Sequence, residues 1–178
     1  MRKEDVMEEK CMKQKENQLY IEFPAFPENE RIARMTAAAF LAAMNPTIEE
    51  MDDVKTAVSE AVTNCIIHAY DYEGHEVFKA PKVEMLLERQ GQTCYVTITD
   101  HGTGIEDIEQ AMEPLYTTKP EEERSGMGFS FMEAFMNELK VESEQGKGTK
   151  VYMTKRIGSS MIQSCTFTKK EEQENGKE

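Results

Sequence analysis

What the chain lacks narrows its chemistry first. The four cysteines, Cys11, Cys65, Cys94 and Cys165, are scattered, and no two form a CxxC pair. The three histidines add no metal-ligand spacing, so neither a zinc site nor a disulfide framework is expected. Cys65 falls on the apolar face of a helical pattern and Cys94 in a strand-like run, so both are expected as buried thiols. No apolar run is long enough to span a bilayer, and no signal peptide precedes the first strand-like segment. Both features point to a cytoplasmic protein with no membrane contact. Positive charge is scarce: 21 Lys and Arg stand against 34 Asp and Glu, for a net charge of −13. Residues 1–16 are neutral and the stretch from Gly158 onward carries −1, so the body holds −12. Such a surface disfavours direct DNA binding and suits a partner with a basic face. Two phosphate-binding signatures are also missing. Phe129, Ser130 and Phe131 follow Gly126-x-Gly128, which fits neither GxxxxGK[ST] nor GxGxxG and excludes a P-loop or a Rossmann fingerprint.

What remains suits one domain. A chain of 178 residues with 39% hydrophobic content can bury a single core. Residues 1–16 are charged and aperiodic, and we expect a mobile extension there; the Ser-, Lys- and Glu-rich stretch 158–178 reads as a disordered tail. Between them, residues 17–157 carry regular patterns. Gln18 to Phe23 alternates and predicts a strand ended by Pro24. Glu28 to Met44 is Ala-rich and helical, with Ile32, Met35, Ala39 and either Ala42 or Ala43 facing inward. Asn45-Pro46 ends it. Thr47 and Glu50 form a capping box for a second helix running to about Tyr70, with Val54, Val58, Ala61, Val62, Cys65, Ile66 and Ala69 on its apolar face. Lys82–Glu88 and Thr93–Thr99 predict a hairpin. A short helix over Ile105–Met112, a flexible lid over Glu113–Ser125 and a helix from Gly126-Met127-Gly128 to about Glu138 follow. Strands over Leu139–Ser143 and Thr149–Thr154 close the pattern. The order β-α-α-β-β-α-lid-α-β-β predicts an α+β two-layer sandwich: a mixed, largely antiparallel sheet with helices on one face.

Five local features carry chemistry, each with a plainer alternative. Glu60 and Asn64 are four apart, so they stack on one helix face. They could serve as a base and a magnesium ligand, or simply form a solvated edge. Asp100 ends a strand and is followed by Gly102 and Gly104. A buried carboxylate there can accept from an exocyclic amine such as adenine N6, and the alternative is an ordinary Asp-x-Gly turn. Gly126-x-Gly128 opens a helix whose free N–H groups suit an anion, unless the glycines form only a hinge. Thr117, Thr118, Lys119 and Arg124 supply hydroxyl and cationic donors beside it, or a solvated loop. Gly146-x-Gly148-Thr149 is either a hairpin turn or the source of a hydroxyl reaching the purine.

In this order Glu60-x-x-x-Asn64, Asp100-x-Gly-x-Gly104, Gly126-x-Gly128 at a helix start and Gly148-Thr149 before a strand resemble the N, G1, G2 and G3 boxes of the GHKL ATPases, over roughly Leu19 to Arg156. Within that superfamily, Ser-Glu-Ala-Val-Thr-Asn-x-Ile-Ile-His-x-Tyr (59–70), Pro-Leu-Tyr-Thr-Thr-Lys-Pro-Glu (114–121) and Glu-Arg-Ser-Gly-Met-Gly-Phe (123–129) resemble the anti-sigma F family of sporulating bacteria. The resemblance implies a serine kinase with Glu60 as catalytic base and Asn64 as magnesium ligand. It implies Asp100, Gly102, Gly104 and Thr149 at adenine, and Gly126, Met127 and Gly128 at the phosphates of ATP or ADP. Thr117, Thr118, Lys119, Arg124 and Ser125 would belong to an ATP lid. Arg34 matches the first-helix arginine that contacts partners. Those partners would be a sigma factor, bound by a homodimer, and an anti-anti-sigma protein phosphorylated on serine. Ala69 departs from the glycine expected there, and His101 and Thr103 occupy variable positions of the Asp-x-Gly-x-Gly motif.

Other readings stay open at this level. A histidine-kinase catalytic domain would need a preceding helix pair with a phosphoacceptor His, whereas all three histidines lie at or after His68. An ATPase segment of a gyrase, mismatch-repair or chaperone protein would need transducer domains beyond the sheet. A non-catalytic, nucleotide-dependent partner-binding module would not need the Glu60 and Asn64 pair.

Overall fold

The computed structural model describes residues 17–70, 80–116 and 126–158. Its elements are β1 (Asn17–Pro24), α1 (Pro27–Ala42), α2 (Ile48–Asn64), a π-helical turn (Cys65–Ala69), β2 (Lys82–Gln90), β3 (Thr93–Asp100), α3 (Ile108–Ala111), α4 (Gly128–Phe135), β4 (Glu138–Glu144) and β5 (Gly148–Arg156). The strands form one sheet in the order β1-β2-β3-β5-β4, antiparallel at every pairing. Strand alternation sends Val83, Met85, Leu87, Val96, Ile98, Val151 and Met153 to one face. There they join Leu41 of α1, Val54, Val58 and Val62 of α2, and Met132 of α4 in a single core, so the helices cover one face of the sheet. The extension and tail expected over 1–16 and 159–178, and the lid residues 117–125, lie outside the described residues.

The inward face expected for the first helix is corrected. Ile32 and Met35 are each 58% exposed, and Ala39, Ala42 and Ala43 are exposed too. The buried stripe is Ala33, Ala37, Phe40 and Leu41. Both sets fit helical spacing, so periodicity alone could not choose between them. Packing chooses: α1 lies against α2, whose Ala57 and Ala61 are buried in turn, and small side chains let two helix backbones approach closely.

The N-terminus of α2 is built as its sequence implies. Glu50 N–H donates to Thr47 Oγ1 (3.1 Å), and Thr47 N–H donates to Glu50 Oε2 (2.8 Å). The other carboxylate oxygen, Glu50 Oε1, accepts from Gly158 N–H (2.8 Å) and ties the chain after β5 to the start of α2. Glu50→Ala should therefore cost about 1–2 kcal/mol, one cap plus one stripped backbone donor. Urea unfolding should show a lower midpoint at unchanged m, and an unmoved midpoint would contradict this double role.

The far end of α2 differs from the single helix expected to Tyr70. After Asn64 the chain widens into the π-helical turn. The loop after β3 bonds to this turn. Thr103 N–H donates to the Ala69 carbonyl (2.9 Å), and Thr103 Oγ1 donates to the His68 carbonyl (3.3 Å). A Cβ on Gly102 would sit 2.0 Å from the Ala69 oxygen, so only glycine permits this approach. The short helix shrinks to one turn, Ile108–Ala111, capped by Asp107 Oδ1. Helix α4 stops at Phe135 rather than Glu138, where Lys155 Nζ binds the Phe135 carbonyl (2.6 Å) as well as Asp53 (2.6 Å).

Candidate active site

A cavity of about 750 Å³ opens between α2, the loop after β3, α3, the start of α4 and β5. Asn64, Asp100, Gly104, Gly126, Gly128 and Thr149 all line it. Four sequence segments that look weak separately therefore share one space.

At one end of the cavity, Asp100 closes β3 and is 4% exposed. Its Oδ1 accepts from Gly102 N–H (2.9 Å) and Thr149 N–H (3.2 Å). The Cys65 thiol lies beside this carboxylate and helps to hold its charge. Burial raises the Asp100 pKa above the ordinary aspartate value, and the two N–H donors partly offset that rise. Cys65 is pushed well above a normal thiol, by burial first and by the Asp100 charge second, so it is not a nucleophile here. Tyr70 frames the same corner: its hydroxyl donates to the Lys82 carbonyl (2.8 Å) and accepts from His101 N–H (2.8 Å). Burial lifts its pKa to about 12.

At the other end, α4 begins at Gly128 against the side of α2. A Cβ on Gly128 would meet Asn64 Nδ2 and Oδ1 at 3.2 Å and Glu60 Oε2 at 3.3 Å. The predicted base and metal ligand thus converge on the start of α4 and not on open solvent. Leu115 N–H donates to the Gly126 carbonyl (2.9 Å), which joins the two ends of the segment carrying Thr117, Thr118, Lys119, Arg124 and Ser125. Those five residues lie outside the described residues. Met127 caps α4, and its carbonyl accepts from Phe131 N–H. Among the described residues, no three His, Cys, Asp or Glu side chains gather to hold a metal.

Arg34 is elsewhere, on α1 and away from the cavity lining. Its Nε lies 3.1 Å from Glu30 Oε1, an ionic contact not aligned as a hydrogen bond. Glu30 Oε1 also accepts from Ser59 Oγ (2.7 Å), the residue before Glu60.

Two residues of the Asp100 corner escape the sequence reading. The helical pattern marks Cys65 only as a core thiol, and its position next to Asn64 on α2 is the one available signal. The alternation around Ser143 marks only a strand, yet this residue faces Thr149 across the hairpin between β4 and β5.

Known proteins resemble the chain in sequence and in fold. The family model of the histidine kinase-like ATPase domain matches residues 23–155. The anti-sigma F factor of Clostridium acetobutylicum is 52% identical over 142 residues, spanning 80% of this chain and 95% of that protein. That of Pasteuria penetrans is 48% identical over 146 residues, 82% of this chain and 95% of its own. That of Geobacillus kaustophilus is 49% identical over 144 residues, with 81% and 95% covered. The solved RsbU and RsbW domains of a Mycobacterium tuberculosis protein match 79% of this chain and 32% of that one, with a TM-score of 0.54 at 21% identity, a likeness of fold. On the matched span and these identities, the chain belongs to the histidine kinase-like ATPase family and, within it, to the anti-sigma F factors.

Proposed function

We propose that the chain binds and inhibits a sporulation sigma factor, and that it uses ATP with magnesium to phosphorylate a serine of an anti-anti-sigma protein. The observation that carries this reading is the convergence at Gly128. A Cβ there would crowd Asn64 and Glu60, which both stand within 3.3 Å of its place. The amide groups that open α4 then face a carboxylate and a side-chain amide set one turn apart, with a helix dipole favouring negative charge.

The donor set suits a nucleoside triphosphate. The buried end offers the Asp100 carboxylate as an acceptor for an exocyclic amine, with Gly102, Gly104 and Thr149 around the base. Gly126, Met127 and Gly128 offer backbone N–H groups to phosphate oxygens. Thr117, Thr118, Lys119, Arg124 and Ser125 add hydroxyl and cationic donors, the local positive charge that a chain of net −13 must supply for an anion. Magnesium takes hard oxygen ligands and keeps several waters, so the Asn64 oxygen is a sufficient protein ligand. When bound, the ion neutralises charge on the transferring phosphoryl group. Glu60 accepts the proton of the attacking serine hydroxyl, and Asn64 holds its place one turn further along α2.

The partner surface lies on α1. Ile32 and Met35, both 58% exposed and three apart, share the outer face of this helix, and Arg34 supplies a cation from a different side, next to Glu30. A homodimer would present this helix twice. Arg34→Ala should weaken sigma-factor binding by about 2 kcal/mol, roughly thirtyfold, the level of an interface hot spot. ATP binding should be untouched. Titration of the sigma factor in the presence of ATP-magnesium measures both claims. A wild-type chain that never binds the sigma factor contradicts the reading; normal binding by Arg34→Ala removes only the role of α1.

A further inference from the structure

Thr149 lines the cavity, and the structure constrains where the proton of its hydroxyl points. Thr149 Oγ1 lies 2.8 Å from Ser143 Oγ, its cross-strand partner. Ser143 Oγ has two other neighbours, Ile105 N–H at 2.8 Å and the Gly148 carbonyl at 3.0 Å. A hydroxyl has one proton and two lone pairs. The Ile105 N–H can only donate, so it takes one lone pair of Ser143. The Gly148 carbonyl can only accept, so it takes the one proton of Ser143. The remaining lone pair must accept from Thr149. The reverse assignment, with Ser143 donating to Thr149, would leave the Ser143 and Gly148 oxygens facing each other with lone pairs alone at 3.0 Å.

Thr149 therefore spends its proton on Ser143 and offers only lone pairs to the cavity. Its backbone N–H is spent as well, on Asp100 (3.2 Å). Asp100, when ionised, is itself an acceptor-only group. The buried end of the cavity thus presents acceptors on two sides.

We propose that Ser143 is a positioning residue that fixes the Thr149 hydroxyl as an acceptor, and that the pair thereby selects a 6-aminopurine over a 6-oxopurine nucleotide. An amino group donates to such a corner. A carbonyl at the same ring position meets lone pairs with lone pairs, and a site rejects a group that leaves its buried polar atoms unpaired. The inference rests on the reading of the cavity as a nucleotide site and adds what sets its base preference.

The test compares ATP with inosine triphosphate, which carries a carbonyl in place of the amino group. Dissociation constants are measured by calorimetry on the full chain with magnesium present. Wild type should prefer ATP. Ser143→Ala frees the Thr149 hydroxyl to rotate and donate, and should narrow the ratio of the two constants about tenfold, the worth of one net hydrogen bond. Ser143→Thr keeps the hydroxyl and should keep the ratio. Ser143→Cys keeps the shape with a poorer acceptor and should narrow the ratio, which covers the case of an alanine variant that does not fold. In a Thr149→Val background, Ser143→Ala should change the ratio no further, as a double-mutant cycle requires of a residue acting through another. Equal weakening of both nucleotides by Ser143→Ala overturns the proposal, as does a narrowed ratio that persists on top of Thr149→Val. A wild type that binds both nucleotides equally overturns it while leaving the nucleotide site intact. A wild type that binds neither removes both.

Discussion

Glu60→Gln should slow phosphoryl transfer by about 10²–10⁴-fold, the usual worth of a positioned general base. Glu60 stands one turn before Asn64 on α2, and its Oε2 faces the start of α4 across the cradle that Gly128 leaves open. Glutamine keeps the length and shape of this side chain, so packing against α4 should hold. It removes the one property the reaction needs, a basic oxygen beside an incoming hydroxyl. ATP affinity should stay near wild type, because the proposed site binds it through Asp100 and the backbone at Gly126–Gly128. Sigma-factor binding should also survive, since Arg34 lies on another helix. Single-turnover transfer of labelled phosphate, measured beside an ATP titration, separates these effects. A variant within a few-fold of the wild-type rate would remove Glu60 from the base role. A variant that loses ATP binding as severely as its rate would make Glu60 a binding residue.

Asp100→Asn should weaken ATP binding by about 1–3 kcal/mol, toward the upper figure because a charged acceptor is lost. The carboxylate already accepts from two backbone N–H groups through Oδ1. An amide that preserves those two bonds must turn its NH₂ group toward the ligand amine, so two donors face each other. The same residue gives the affinity a pH dependence. Burial raises the Asp100 pKa, so its protonation begins at higher pH than for an exposed aspartate. The ionised form is the better acceptor. Affinity should therefore be complete above the raised pKa and decline as pH falls through it. The asparagine variant should lack this component, which isolates it from titration of the triphosphate itself. Unchanged affinity in Asp100→Asn, with the fold intact by circular dichroism, would take the amine away from this carboxylate.

The parts of the molecule that are legible in the sequence are those in which one residue pattern admits one structure. Alternation over Lys82–Glu88 and Thr93–Thr99 can bury only one set of side chains, and the sheet buries Val83, Met85, Leu87, Val96 and Ile98. Thr47 and Glu50 are three apart and meet as a capping box. Where two structures fit one pattern, the sequence misleads. On α1, Ile32 and Met35 outweigh Ala33 and Ala37 in hydrophobicity, yet helix–helix contact favours the smaller side chains, and the larger pair is left outside. The π-helical turn after Asn64 has no local signal, and the bonds to its His68 and Ala69 carbonyls come from Thr103 in another loop. The role of Cys65 is hidden for a related reason: an apolar-face position does not tell that Asp100 ends its strand beside it. Ser143 needs the register of β4 on β5 before it can be tied to Thr149.

On the proposed function, this cavity moves a phosphoryl group from ATP to the serine of another protein. The most direct measurement incubates the full chain with labelled ATP-magnesium and a purified anti-anti-sigma protein, then identifies the labelled amino acid in each polypeptide. Acid-stable phosphoserine on the anti-anti-sigma protein, absent when Glu60→Gln replaces the wild type, is the predicted result. Acid-labile phosphohistidine on the chain itself, or ATP consumption with no label on the partner, would contradict it.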